Sequence, residues 1–285
     1  MQRQQQTIKR SVSYTGIGLH TGEIVTLSFH PAKPDSGVIL RRVDLPNSPV
    51  IPATVDYVTA TDRNTTLGSD GVKIFTVEHV LAAVAALQVD NLVIELDNIE
   101  PPIANGSSDL FCELLLDAQV VEQGVAVEVR KLETPLYYSE GEIQLIALPS
   151  DRYRLTYVLS YPSVPYLESQ FYTSEITPEK FVSEIAPCRS FGLMSEITPL
   201  LSRGLIKGCS LSNAVVVDGD VVFSKDGLFF PNEMARHKVL DMVGDLSLVG
   251  FPFCAHVIGI RSGHATHRHL AFALREALLQ GVPTR

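Results

Sequence analysis

The sequence predicts an α+β fold made of two similar units, and three observations carry that reading. The chain has 285 residues, above the usual single-domain size, so two packed units or one unusually large one are expected. Its local patterns run as strands, then helix, strand, helix, and the second half repeats that order. A composition 45% hydrophobic and 19% charged belongs to a folded protein with a sizeable core, which excludes the disordered and low-complexity classes.

Up to about Pro52, segments such as VTLSFHPA and GVILRRVD are β-branched and alternating, and are separated by Gly, Pro, Asp and Asn, the pattern of short antiparallel strands. KIFT then leads into VEHVLAAVAAL, whose apolar positions suit a buried helix; NLVIELDN reads as a strand and SSDLFCELLLDAQV as a second helix. In the second half AVEVRKLETPLYYSEGEIQLIALP and YRLTYVLSYP read as strands. NEMARHKVLDMVGDLSLV, FCAHVIGIRS and HRHLAFALREALL follow as helix, strand, helix. No residue-level repeat accompanies this order, so the duplication is an inference from topology. The seam is expected near QGVAVEV, about residues 123–129, giving domains 1–126 and 127–285. Between Pro187 and Val222 the second half carries an extra helical piece, SEITPLLSRGLIKG, and a hairpin, AVVVDGDVVF, with an Asp-Gly turn. That insertion is either a stabilising subdomain or an apolar wall for a substrate tail.

Charge and cysteine usage narrow the function classes. Lys and Arg number 23 against 32 Asp and Glu, a net charge of −9, with the acidic residues spread along the chain, so no nucleic-acid partner is expected. Cys112, Cys188, Cys209 and Cys254 show no C-x-x-C pairing, which argues against a disulfide framework or a cysteine zinc site and for incidental thiols in a reducing cytoplasm. The polar, basic start MQRQQQTIKRSVSYTG lacks the apolar core of a secretory signal, so export is not expected. The longest apolar run, VLAAVAAL at 80–87, is far short of a membrane span. G-x-S-x-G, Walker, complete G-x-G-x-x-G and H-E-x-x-H signatures are all missing.

Three clusters are candidates for chemistry. Glu78 and His79, in T-V-E-H, enter a helix that is otherwise small and apolar, so Glu78 either faces solvent or has something positive beside it. In R-H-K-V-L-D-M-V-G-D, His237, Asp241 and Asp245 recur every four residues and project from one side of a helix; a solvated face with charge pairs is the plainer alternative. In S-G-H-A-T-H-R-H, Gly263 allows a tight turn that puts His264 at a helix start, while His267 and His269 are expected at the surface. Together these supply two His and one carboxylate for a hydrolytic zinc site with an open position for water. Glu78 is left as the base for that water, and Asp245 as the group that keeps His264 protonated.

With these residues in view, the chain resembles the UDP-3-O-acyl-N-acetylglucosamine deacetylases, zinc amidases of lipid A synthesis, over nearly its whole length. The resemblance is carried by G-I-G-L-H-T-G at 16–22, T-V-E-H at 76–79, D-N-L-V-I-E at 90–95, R-H-K-V-L-D-M-V-G-D-L at 236–246 and S-G-H at 262–264. It implies His79, His237 and Asp241 as ligands of Zn²⁺, with Fe²⁺ also acceptable to such donors. It implies Glu78 as base and His264, backed by Asp245, as acid or electrostatic catalyst. It further implies two domains packed helix layer to helix layer as a sandwich, the site between them and an insert in each, the second insert forming the passage for a fatty acyl chain. C-R-S-F-G at 188–192 resembles the family's A-R-T-F-G: Ser190 keeps the hydroxyl that polarises the carbonyl or anchors the intermediate but loses the methyl that restricts its rotation. Phe191 would pack on the glucosamine ring, Gly192 belongs to the same substrate-binding stretch, and Lys238 would meet diphosphate or sugar oxygens. Two departures are visible, Asn64 where many relatives carry cysteine and Asn105 where D-G-S is common. The implied reaction converts UDP-3-O-acyl-N-acetylglucosamine to UDP-3-O-acyl-glucosamine and acetate in the cytoplasm, with a monomer as the expected state. Acyl-chain length, regulation and the metal used in the cell are not written in the sequence.

Overall fold

The computed structural model describes residues 1–280. The strand-rich opening becomes β1 (Gln2–Ile8), β2 (Val12–Ile17), β3 (Ile24–Pro31), β4 (Val38–Arg42) and β5 (Val50–Pro52). A small three-stranded sheet, β6 (Val58–Ala60), β7 (Thr66–Ser69) and β8 (Val72–Ile74), precedes α1 (Glu78–Ala86), β9 (Leu92–Leu96) and α2 (Asp109–Asp117). The second half opens with β10 (Val120–Glu128), β11 (Arg130–Lys131), β12 (Leu136–Glu140), β13 (Ile143–Leu148), β14 (Arg154–Leu159) and β15 (Gln170–Glu175). A helical turn, α3 (Pro178–Lys180), leads through a π-turn to β16 (Phe191–Leu193), α4 (Met194–Ser202), β17 (Val215–Asp218) and β18 (Val221–Phe223). The chain closes with α5 (Glu233–Ser247), β19 (Phe253–Cys254), β20 (His256–Ile260) and α6 (His264–Gln280).

The two halves share one sheet topology. The first five-stranded sheet runs β2-β3-β9-β4-β5 and the second β12-β13-β20-β14-β15. In each, the third and fourth strands of that order pair in parallel and all other neighbours are antiparallel. The duplication that the order of elements predicts, and that no residue repeat shows, is thus present in the strand pairing. Alternation explains why each sheet has one dry face: Val25, Leu27 and Phe29 of β3 and Leu155, Tyr157 and Leu159 of β14 are buried, with their neighbours turned outward. The stretch around the expected seam is itself a strand, β10, which pairs antiparallel with β1 and ties the start of the chain to the junction.

Between the sheets the helices of the two halves meet. α1 lies along α5, α6 packs on α5, and α5 and α6 lean on strands of the second sheet. α1 is buried almost all round because Val, Leu and Ala occupy nearly every position. The crossing is tight enough to dictate a residue: a Cβ on Gly244 would stand 2.1 Å from the carbonyl oxygen of Glu78. One apolar core follows, with Leu81 and Val84 of α1 and Val239, Leu240 and Val243 of α5 in the same cluster. Each such side chain, fully buried, contributes about 1.5–3 kcal/mol.

The second-half insertion has the expected parts with two corrections. Its helix ends at Ser202, earlier than the SEITPLLSRGLIKG pattern suggests, because Gly204 (φ +77°) and Ile206 (φ +50°) turn the chain into left-handed backbone. Its hairpin pairs Asp218 with Val221, so the turn is Gly219-Asp220, one residue beyond the Asp-Gly reading, with the positive φ at Gly219. No helix among the described residues is long and apolar enough to cross a membrane.

Candidate active site

The start of α1 is held from three sides. Thr76 has φ +52°, a left-handed conformation costly for a β-branched residue, and its hydroxyl donates to Glu100 Oε1 at 2.8 Å. The buried Glu100 carboxylate also accepts from His20 N, Thr21 N and the Thr21 hydroxyl, so it fastens the 16–22 loop to the residues just before Glu78. Glu78 is buried and sits in the first turn of α1, where Thr65 N donates to its Oε2 at 3.0 Å. Burial pushes the Glu78 carboxyl above its ordinary value, and His264 and His79 offset only part of that push. Of the two alternatives the sequence leaves for Glu78, solvent or a positive neighbour, the second holds: His264 Nε2 lies 3.8 Å from Glu78 Oε1.

His79 of α1 faces His237 and Asp241 of α5. Asp241 Oδ1 is 3.7 Å from His79 Nε2 and 3.4 Å from His237 Nε2, and the two rings meet edge to face at 5.1 Å. One ligand atom from each of the three lies within 4.8 Å of the others. His237 Nδ1 faces the Cys188 carbonyl oxygen at 3.1 Å, and since a carbonyl only accepts, that nitrogen carries the proton and Nε2 keeps its lone pair. Burial lowers His237 to about 4, outweighing Asp241, so the ring is neutral at ordinary pH. Burial opposes ionisation of Asp241, but Lys238, whose Nζ is 2.8 Å from Oδ2, holds its carboxyl well below the usual range. Two imidazoles whose Nε2 atoms both face the Oδ1 of an ionised carboxylate make a donor set that fits a tetrahedral divalent cation with one position left open.

One helical turn beyond Asp241, Asp245 collects hydrogen bonds. Its Oδ2 is 2.8 Å from His264 Nδ1 and its Oδ1 accepts from the Thr65 hydroxyl at 2.5 Å. Burial disfavours the His264 imidazolium, yet Asp245 and Glu78 outweigh it and raise the group to about 9. Burial likewise works against the Asp245 anion, but His264 and His267 keep its carboxyl far below the usual range. His267 corrects the sequence reading. It is 0% exposed and not a surface residue, with Nδ1 2.8 Å from the same Asp245 Oδ2, because i and i+3 share one face of α6. His269 is exposed, as expected.

The C-R-S-F-G segment is pinned to the start of α5. Glu233, fully buried, accepts from Arg189 N, Nε and Nη2 and from Phe229 N. That anchorage is what brings the Cys188 carbonyl to His237. Ser190 Oγ ends 3.4 Å from His237 Nε2, Phe191 stands edge-on to His237 at 6.3 Å, and Lys238 Nζ lies 5.7 Å above the Phe191 ring. Ser190, Phe191, Gly192 and Lys238 all line a cavity of about 580 Å³ whose polar end holds Glu78, His79, His237, Asp241 and His264. Much of the remaining lining is apolar, with Leu19 from the first half and Ile197, Leu200, Leu201 and Ile206 from the insertion, and Arg63, Glu196 and Arg261 stand among them. The insertion thus borders the cavity. Asn64 is buried and spends its side-chain oxygen on the Thr66 hydroxyl, while Asn105 bonds Asp109 and Ser107. Sequence reasoning missed Thr65, Glu100 and His267. No spacing rule singles out a loop threonine or a lone glutamate, and His267 was masked by its polar neighbours.

A duplicated α+β fold with imidazoles, carboxylates and an apolar cavity at its internal seam has the make-up of a hydrolytic enzyme. The family model described as UDP-3-O-acyl N-acetylglycosamine deacetylase matches residues 5–276, and the chain belongs to that family. Among its relatives, the UDP-3-O-acyl-N-acetylglucosamine deacetylase of Chlamydia abortus is 42% identical over 278 residues, covering 98% of this chain and 99% of the relative. Enzymes of the same name from Chlamydia pneumoniae and Chlamydia trachomatis serovar L2 are each 42% identical, over 279 and 276 residues. They cover 98% and 97% of this chain, and 99% and 96% of themselves.

Proposed function

We propose that the chain hydrolyses the 2-acetamido group of UDP-3-O-acyl-N-acetylglucosamine, releasing acetate and UDP-3-O-acyl-glucosamine, the committed step of lipid A synthesis. The observation that carries this reading is the convergence of His79, His237 and Asp241 with Glu78 and His264 at the polar end of an apolar cavity. His79, His237 and Asp241 would hold Zn²⁺, and the same donors accept Fe²⁺. When bound, such an ion supplies Lewis-acid polarisation of the amide carbonyl and acidifies water.

The side chains do the rest. Glu78, made more basic by burial, takes a proton from the attacking water as its oxygen joins the acetyl carbon. His264, protonated through Asp245, faces the developing oxyanion and gives its proton to the sugar nitrogen as the carbon–nitrogen bond breaks. The Ser190 hydroxyl donates to the same oxyanion, Phe191 packs on the glucosamine ring beside Gly192, and Lys238 binds diphosphate or sugar oxygens. The acyl chain occupies the apolar walls. On this reading residues 1–126 and 127–285 are two domains, each giving part of the site, and the enzyme works as a cytoplasmic monomer where UDP-sugars are made.

The test is acetate release by purified protein, with and without the 3-O-acyl chain on the substrate, before and after chelation and zinc return. Activity lost on chelation, restored by zinc and dependent on the acyl chain is expected. Full activity without metal overturns the ligand assignment, and equal turnover of the unacylated sugar nucleotide overturns the substrate.

A further inference from the structure

His267 is a buried histidine that the mechanism above does not use. Both of its ring nitrogens are engaged: Nδ1 lies 2.8 Å from Asp245 Oδ2 and Nε2 lies 2.9 Å from the Ser262 hydroxyl. An ionised carboxylate only accepts, so His267 Nδ1 carries a proton. Burial lowers the group despite Asp245, so the ring holds one proton, and Nε2 is an acceptor that takes the Ser262 hydroxyl hydrogen. Ser262 is itself fixed, since its carbonyl accepts from the buried Tyr157 hydroxyl.

One oxygen of Asp245 therefore serves two imidazoles. His264 Nδ1 and His267 Nδ1 each lie 2.8 Å from Oδ2, while the Thr65 hydroxyl takes Oδ1. Three donors on two oxygens leave the carboxylate no freedom to turn about its Cβ–Cγ bond. Its orientation in turn sets the plane of the His264 ring, whose other nitrogen, Nε2, faces Glu78 and the cavity. Remove His267 and the carboxylate keeps only Thr65 and the group it is meant to aim.

We propose that His267 is a positioning residue for the acid step, a second Nδ1–H donor that locks Asp245 and thereby directs His264 at the reacting amide. The inference rests on the deacetylase reading, and the experiment separates the two. His267→Leu keeps the volume and removes the donor; His267→Gln restores an N–H for Asp245 and an oxygen for Ser262. The Leu variant should lose about 10- to 100-fold in kcat, the usual effect of removing an outer partner. Its KM and its single equivalent of metal should be unchanged, and the Gln variant should recover most of the rate. Nitrogen NMR of histidine-labelled protein should show His267 as an Nδ1–H tautomer from pH 6 to 8. A wild-type protein with no deacetylase activity sinks the function while leaving the NMR result to decide the geometry. A Leu variant with normal kcat, a loss that Gln does not rescue, an Nε2–H tautomer, or a second equivalent of metal that disappears with His267 would each overturn the proposal.

Discussion

Glu78 is a carboxylate in a place that ordinary burial would forbid, and its neighbours explain how it is tolerated. Thr65 N bonds it, His264 supplies positive charge, and the remaining desolvation leaves it more basic than a free glutamate. Glu78→Gln should therefore retain metal, by elemental analysis, while losing about 10²- to 10⁴-fold in kcat; a fully active variant would remove Glu78 as base. His264 makes a stability prediction with a definite sign. Its folded value of about 9 stands above the ordinary histidine value of 6.5, so its contribution is fully present below pH 6.5 and is lost as pH rises through about 9. Urea titrations of metal-free protein from pH 6 to 10 should show that decline, and His264→Gln should flatten it. At this scale the sequence was informative where spacing on one helix speaks: His237, Asp241 and Asp245 do share a face of α5. It was silent on Thr65 and misleading on His267, because what those residues touch belongs to another element.

Two elements decide whether the site exists. The α1–α5 crossing requires Gly244, where any side chain would strike the Glu78 carbonyl. Gly244→Ala should push the helices apart, destabilise the protein by about 1–3 kcal/mol in urea unfolding and weaken metal retention, since His79 lies on one helix and its partners on the other. Normal stability and full metal content in that variant would show that the crossing can relax. The link between the 188–192 segment and α5 depends on the buried Arg189–Glu233 pair. Arg189→Met would leave Glu233 buried without its cation, for which about 3–5 kcal/mol of destabilisation is expected in denaturant melts. Helix and strand periodicities were legible at this level. The end of α4 and the hairpin tip were not, since both turn on left-handed backbone at particular residues rather than on hydrophobic pattern.

For the molecule as a whole, duplication places a helix layer from each half at one seam, and the insertion adds an apolar wall to the polar end so formed. Leu201 lines that wall yet is half exposed, so changing it should leave the fold intact. If the proposed acyl passage runs here, Leu201→Glu sets a carboxylate against the acyl chain and should raise KM for the acylated substrate about tenfold or more, the equivalent of about 1.4 kcal/mol of lost binding. Steady-state kinetics with an unchanged KM would take Leu201 out of the acyl passage. The sequence by itself determined the alternating strands, the order of elements in each half, and the four-residue spacing that puts His237, Asp241 and Asp245 on one side of a helix. Those are consequences of backbone periodicity, which acts over a few residues. Only the tertiary structure decided that His79 meets His237 and Asp241, that Thr65 and His267 close around Asp245, and that the insertion walls a cavity. Such contacts depend on how closely two elements cross, and that distance is set by the volumes packed between them, a quantity no local pattern contains.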